Sequence, residues 1–271
     1  MLRFKDNQAV SDQNDALEFS ILCSIGERED QQDCFAYALS DDGGMFVVCD
    51  GMGGLNAGAD ASRAAANILI TAYEKEQGLS DDSKKAPGDL LYEATLAADR
   101  CISELCGPEN EQSHAGSTEV AIIIKDKKLY WNSVGDSRAL LFRGNEYVQF
   151  TQDQNYLTVL NEQLRTGLIT NEEFEREKEE RGEALISFLG MGDLQLIDYN
   201  ELPLNLLEGD RILIMSDGLY KFVEEEGIVS VIRNFSNPGD ALQALEMKAE
   251  RNGKRTDISR DNLTAILIKI K

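Results

Sequence analysis

Short apolar runs closed by glycine or aspartate alternate along this chain with longer stretches of helical period. Phe19 to Ser24, Cys34 to Leu39 and Met45 to Cys49 predict three strands. The connection Asp41-Asp42-Gly43-Gly44 makes the second and third an antiparallel hairpin. From Ala57 to Gln77 the apolar positions (Ala57, Ala61, Ala64, Ala65, Ile68, Leu69) form one stripe, which predicts a helix stopped by Gly78. A second helix follows Pro87, with Leu91, Thr95, Ala98, Ile102 and Leu105 on one face and Gly107-Pro108 at its end. The two should lie as an antiparallel pair on a sheet. Residues 109–114 read as loop, and Gly116-Ser117-Thr118 opens a meander: Val120 to Ile124, Leu129 to Val134, Arg138 to Phe142 and Glu146 to Phe150.

Gln154 to Arg165 is helical by pattern. Thr170 starts another helix, reaching about Arg181, with Glu173 placed for a capping box. Phe174 is its one apolar anchor, so the stretch 165–183 reads as a mobile flap, with a fixed, solvated helix as the alternative. Ile186 to Leu189 reads as a strand, and one or two more lead to Asp210. Arg211 to Ser216 is an apolar strand, Val223–Arg233 and Ala241–Arg251 are the last helices, and Leu263 to Ile270 is the final strand. Gly253 should stop the second of those helices, and residues 1–18 read as a loose polar arm. This order predicts an α+β fold in one domain, residues 1–271. Two antiparallel sheets lie face to face with helix pairs on their outer faces, an αββα four-layer sandwich with a helical flap insert.

Several of the strands end on a carboxylate. Asp50-Gly51 follows Met45 to Cys49, Asp217-Gly218 follows Arg211 to Ser216, Gly135-Asp136 follows Asn132-Ser133-Val134, and Asp261 stands just before Leu263. Aspartate with glycine at a strand end is most often a turn. Four of them at the ends of separate strands suggest one acidic cluster, and repelling carboxylates that meet usually do so around a divalent cation.

Composition narrows the rest. The 271 residues carry 27 Lys and Arg against 49 Asp and Glu, a net charge of −22, which opposes phosphate backbones and excludes nucleic acid as an expected partner. No apolar run reaches membrane-spanning length and MLRFKDNQAV lacks the apolar core of a signal peptide, so no membrane association and a cytoplasmic location are expected. Five cysteines without framework spacing read as reduced thiols. His114 is the single histidine and reads as an exposed polar residue, so a site needing two imidazoles is excluded and carboxylates must hold any metal.

The motifs now have a family. Arg28, Gln32-Asp33, Asp50-Gly51-Met52-Gly53-Gly54, Gly116-Ser117-Thr118, Gly135-Asp136-Ser137-Arg138, Gly209-Asp210-Arg211, Ser216-Asp217-Gly218-Leu219 and Arg260-Asp261-Asn262-Leu263-Thr264 occur in an order and spacing that resemble the metal-dependent Ser/Thr protein phosphatases of type 2C, of bacterial type. The resemblance spans residue 19 to the last residue. It implies hydrolysis of phosphoserine and phosphothreonine in proteins by a metal-bridging hydroxide at a binuclear Mn2+ or Mg2+ site. By position Asp50 would bridge both ions, and the Gly51 carbonyl, Asp33, Asp217 and Asp261 would complete the protein ligands. Asp136 matches a position that holds a third, weaker ion in bacterial members. Arg28 would grip phosphate oxygens, with a surface ion pair as its alternative role. The insert at 165–183 matches the family's flap. The implied partners are phosphorylated proteins, a Ser/Thr kinase and its substrates among them, and the chain is expected to be a monomer.

Three positions depart from the pattern. Gln31 stands where Asn is usual, so a contact near Asp33 should differ. Met52 replaces the His of animal members and cannot donate a proton, which leaves a metal-bound water to protonate the leaving alkoxide. Gln154 replaces a frequent His and is expected to be structural. Asp136 has an alternative as well, pinning its turn through a pair with Arg138, and Ser117 and Thr118 are expected to satisfy backbone groups. A non-catalytic phosphoprotein-binding module is the second reading of the whole chain, and a phosphatase dedicated to a stress or sporulation regulator the third.

Overall fold

The structure, a computed structural model, describes residues 7–54, 56–105 and 115–271. The loop expected at 109–114, the Gly107-Pro108 stop, Cys106 and His114 lie outside the described residues.

In chain order the strands and helices begin with β1 (Asn7–Gln13), β2 (Leu17–Ser24), β3 (Asp33–Ser40), β4 (Gly43–Met52), α1 (Ala57–Gln77) and α2 (Pro87–Leu105). Then come β5 (Gly116–Ser117), β6 (Glu119–Lys125), β7 (Lys128–Val134), β8 (Arg138–Arg143), β9 (Glu146–Gln149), α3 (Tyr156–Arg165) and α4 (Asn171–Arg181). The remainder is β10 (Asp198–Tyr199), β11 (Leu204–Asn205), β12 (Arg211–Met215), α5 (Asp217–Tyr220), α6 (Glu225–Asn234), α7 (Pro238–Thr256) and β13 (Leu263–Ile270).

The central strands are apolar on both faces, and that dictates the layering. In β4, Met45, Val47 and Cys49 pack with α1 and α2, while Phe46 and Val48 face the opposite sheet. In β13, Ile266, Ile268 and Ile270 enter the layer between the sheets, and Ala265 and Leu267 meet α6 and α7. Three apolar layers result, and the order is helix, sheet, sheet, helix, as expected. One sheet runs β1-β2-β13-β12-β8-β9 and the other β10-β7-β6-β4-β3, with β11 on β7 and β5 on β4.

Several expectations need correction. Residues 7–13 are an edge strand on β2, not a loose arm; most of their side chains are exposed, so a polar sequence suffices there. The meander is split: β6 and β7 pair in one sheet, but Gly135 to Ser137 carry the chain to the other, where β8 and β9 pair. Gly135 has φ +95, and a Cβ there would lie 2.7 Å from the Thr118 side chain. Residues 186–189 form no strand; Leu189 makes one bridge to Ser117. Helix α7 runs through Gly253 to Thr256, and Asp257, at φ 55, takes the left-handed position that ends it.

Helix α4 begins with the capping box Thr170/Glu173, and Phe174 is its one buried residue. None of the four described cysteines, Cys23, Cys34, Cys49 and Cys101, forms a disulfide among the described residues.

Candidate metal centre

The register of β3 on β4 sets Asp33 directly opposite Asp50. In the other sheet, β12 and β13 pair antiparallel, so Asp217, just past β12, and Asp261, just before β13, come to the same end. The two ends are stitched together by Ser216. Its hydroxyl donates to Asp33 Oδ2 at 2.7 Å across the sheets and accepts from the Thr264 N–H at 3.0 Å. A basin of about 560 Å3 opens there, with Arg28, Asp50, Gly51, Asp217, Asp261 and Asn262 among its lining. Asp33 lies beneath, fully buried.

The electrostatics are those of an uncompensated cluster. Burial first, then the charges of Asp33, Asp217, Asp136 and Asp261, hold the Asp50 carboxyl well above the usual carboxylate range. Burial likewise pushes Asp33 up to about 7, against the Ser216 hydrogen bond, and Asp217 and Asp261 push it further. Among the described residues no salt bridge reaches Asp33 or Asp50, and Asp33 Oδ1 has no hydrogen-bond partner at all. Asp217 and Asp261 do have cations. Lys221 Nζ lies 2.8 Å from Asp217 Oδ2, and Arg28 Nη2 lies 2.6 Å from Asp261 Oδ2.

Among the described residues no three acidic, His or Cys side chains close into a ready-made metal cage. Asp50, Asp217 and Asp261 line the basin, and Asp33 lies buried opposite Asp50. The fit to a hard cation therefore rests on the all-oxygen donor set and on the orphaned Asp33 oxygen.

The surrounding scaffold is dense. Asn262 accepts from the Gln32 N–H at 2.8 Å and donates to Ile25 O at 2.9 Å and Asp30 O at 3.1 Å, which fixes the loop bearing Arg28. Thr118 donates its N–H to Asp50 O and accepts the Asp50 N–H on its hydroxyl, so Thr118 and Ser117 serve the backbone, as expected. A Cβ on Gly51 would sit 2.1 Å from Gly58 O, so only glycine lets α1 approach the strand. Gln31 is buried; it accepts from the Asp33 N–H at 2.9 Å and donates to Cys23 Sγ. Gln154 bridges Gly135 N–H and Ser133 O, the structural role expected of it.

Arg28 is placed at the basin rim in an ion pair, the alternative role weighed for it. Arg138 does not pair with Asp136: it grips Asp153 at 2.6 Å and stacks 3.6 Å over the Tyr220 ring. Asp136 is buried, and burial, then Asp217, pushes its carboxyl up to about 6 while Lys221 draws it back. The Gly209-Asp210-Arg211 motif stands away from the basin, where Asp210 takes a bidentate contact from Arg143. Sequence reasoning quoted Ser216 in a motif without giving it a role and singled out none of Lys221, Tyr220 and Glu183. Ser216 precedes Asp217 and Lys221 stands one helical turn after it, but the contacts of Ser216 are set by strand pairing and the second contact of Lys221 by the insert.

The family model for protein phosphatase 2C matches residues 10–157, more than half of the chain. Over 256 residues the chain is 28% identical to protein phosphatase PhpP of Streptococcus pneumoniae, covering 94% of this chain and 98% of that one. Its fold matches the crystal structure of the Mycobacterium tuberculosis serine/threonine phosphatase PstP/Ppp with a TM-score of 0.76 at 24% identity, covering 94% and 99% of the two chains. It also matches the catalytic domain of the phosphatase PstP in complex with two manganese ions, with a TM-score of 0.70 at 24% identity and 94% and 98% coverage.

Proposed function

The chain belongs to the protein phosphatase 2C family, and from that premise we propose that Asp33, Asp50, Asp217 and Asp261, with the Gly51 carbonyl, hold its two divalent cations. Its activity is that of a metal-dependent Ser/Thr protein phosphatase, a hydrolase acting on phosphoproteins with Mn2+ or Mg2+. The observation that supports the ligand set is the Asp33–Asp50 pair itself: two residues in register with no salt bridge, Asp50 lining the basin and Asp33 buried beside it with one orphaned oxygen.

When bound, such cations lower the pKa of water and neutralise charge on a phosphoryl group. The residues of the chain do the rest. Ser216 keeps Asp33 oriented from the opposite sheet. Arg28, more than half exposed at the rim, presents a planar fork of five N–H donors suited to phosphate oxygens. Met52 lines the basin and has no proton to give, so a leaving alkoxide takes its proton from water.

Residues 165–183 act as a flap on a single domain. This is supported by the lone anchor Phe174 and by Glu183, whose carboxylate contacts Lys221 beside the basin. A cytoplasmic monomer that reverses the work of a Ser/Thr kinase completes the reading. No helix among the described residues is long and apolar enough to cross a membrane.

The test is hydrolysis of a phosphothreonine peptide with Mn2+, with and without chelator, by the wild type and by Asp50→Asn and Asp217→Asn. Rates at least 100-fold lower in the variants and with chelator are expected. Equal rates in all samples end the assignment.

A further inference from the structure

The charge of Asp217 reaches Asp136 and helps push its carboxyl up, and Tyr220 of the helix that Asp217 opens bonds the Asp136 carbonyl, so a third divalent ion held by Asp136 would sit beside Asp217. In this chain that neighbourhood already contains a cation. Asp217 opens α5 and Lys221 caps its end, so the two stand one helical turn apart with the acid first, the favoured orientation for such a pair.

The Lys221 ammonium lies 2.8 Å from Asp217 Oδ2 and 2.8 Å from Glu183 Oε2, and its side chain is about two-thirds covered. Two of its three N–H donors are thus spent on carboxylates, one on its own helix and one at the end of the insert. Its charge also bears on Asp136. Tyr220, the preceding residue, donates its hydroxyl to Asp136 O at 3.1 Å and is covered by the Arg138 guanidinium.

We infer that Lys221 is a built-in cation standing where a third metal ion would bind, so that this protein takes up two divalent ions and no more. A divalent ion entering beside Asp136 would have to displace the ammonium from Asp217 or remain in contact with a like charge, and either weakens its binding. The ammonium also ties the insert to the centre, because Glu183 follows α4 by only two residues. The inference rests on the two-ion reading given above, and the experiment separates the two.

Mn2+ bound per protein is counted by equilibrium dialysis, with free Mn2+ read by electron paramagnetic resonance. The wild type, Lys221→Arg, Lys221→Met and the double variant Lys221→Met/Asp136→Asn are compared at up to millimolar Mn2+. Two ions are expected for the wild type and for Lys221→Arg, three for Lys221→Met, and two again for the double variant. The third ion of Lys221→Met should bind at least tenfold more weakly than the other two. Three ions in the wild type overturn the inference, as do two ions in a folded Lys221→Met protein. No saturable binding in the wild type overturns the two-ion reading itself.

Discussion

Glu119 offers a test of burial energetics away from the metal centre. It opens β6 with no exposure, one carboxyl oxygen 2.7 Å from the Thr95 hydroxyl and the other without a partner. Burial pushes its carboxyl from 4.5 up to about 8, against the Thr95 hydrogen bond. Thr95 has one hydroxyl proton and a second acceptor, Leu91 O, at 2.9 Å. A protonated Glu119 can donate to Thr95 and leave that proton for Leu91, so the neutral acid satisfies more of the group.

The sign of the linkage follows. The folded state holds a proton that the unfolded chain releases above about 4.5. The Glu119 contribution is therefore most favourable below that pH and is lost as pH rises through about 8. At about 1.4 kcal/mol per pH unit, the cost is about 2 kcal/mol at pH 6 and about 5 kcal/mol at pH 9. Glu119→Gln keeps the shape without the proton, so the stability gap between variant and wild type should widen by about 3 kcal/mol from pH 6 to pH 9. Urea unfolding followed by circular dichroism, with chelator present throughout, measures that gap. Asp33, Asp50 and Asp136 titrate alike in both proteins and cancel. A gap that changes by less than about 1 kcal/mol would refute a carboxyl held neutral by burial.

Two further outcomes follow from the scaffold. Phe174→Ala removes the one buried side chain of α4, at a local cost of about 3 kcal/mol; limited proteolysis should then cut within 171–181 much faster while the main thermal transition stays put. Asn262→Ala removes three hydrogen bonds that fix the Arg28 loop and should cost about 2–4 kcal/mol; urea unfolding reads that loss, and the KM for a phosphopeptide should rise with it.

Much of the basin could be read from the sequence because its aspartates sit at strand ends, where an apolar run, an aspartate and a glycine fall next to one another. Asp50 and Asp217 carry their local signal with them. The layering was legible for a similar reason, since strands such as β4 and β13 are apolar on both faces and must be covered twice. Strand β1 was not legible, because an edge strand with a solvated face has the composition of a loop. Nor was the split of the meander, because a crossing at Gly135 to Ser137 looks like any tight turn until partners are known. Gly253 misled for a packing reason: a Cβ there would lie 2.7 Å from the Arg260 side chain, so the glycine makes room for a neighbour rather than ending the helix. Glu183, the second partner of Lys221, and Asp33 and Thr264, the partners of Ser216, lie far off in sequence, beyond the reach of any local pattern.

Strand β13 lies between β2 and β12, with Ile266 opposite Ile21. During synthesis the earlier strand must wait for nearly the whole intervening chain before its neighbour exists. Until then two apolar strand edges stand open, an invitation to pair with the wrong chain. Asp261 stands just before that late strand, so the acidic basin is complete only once β13 has paired.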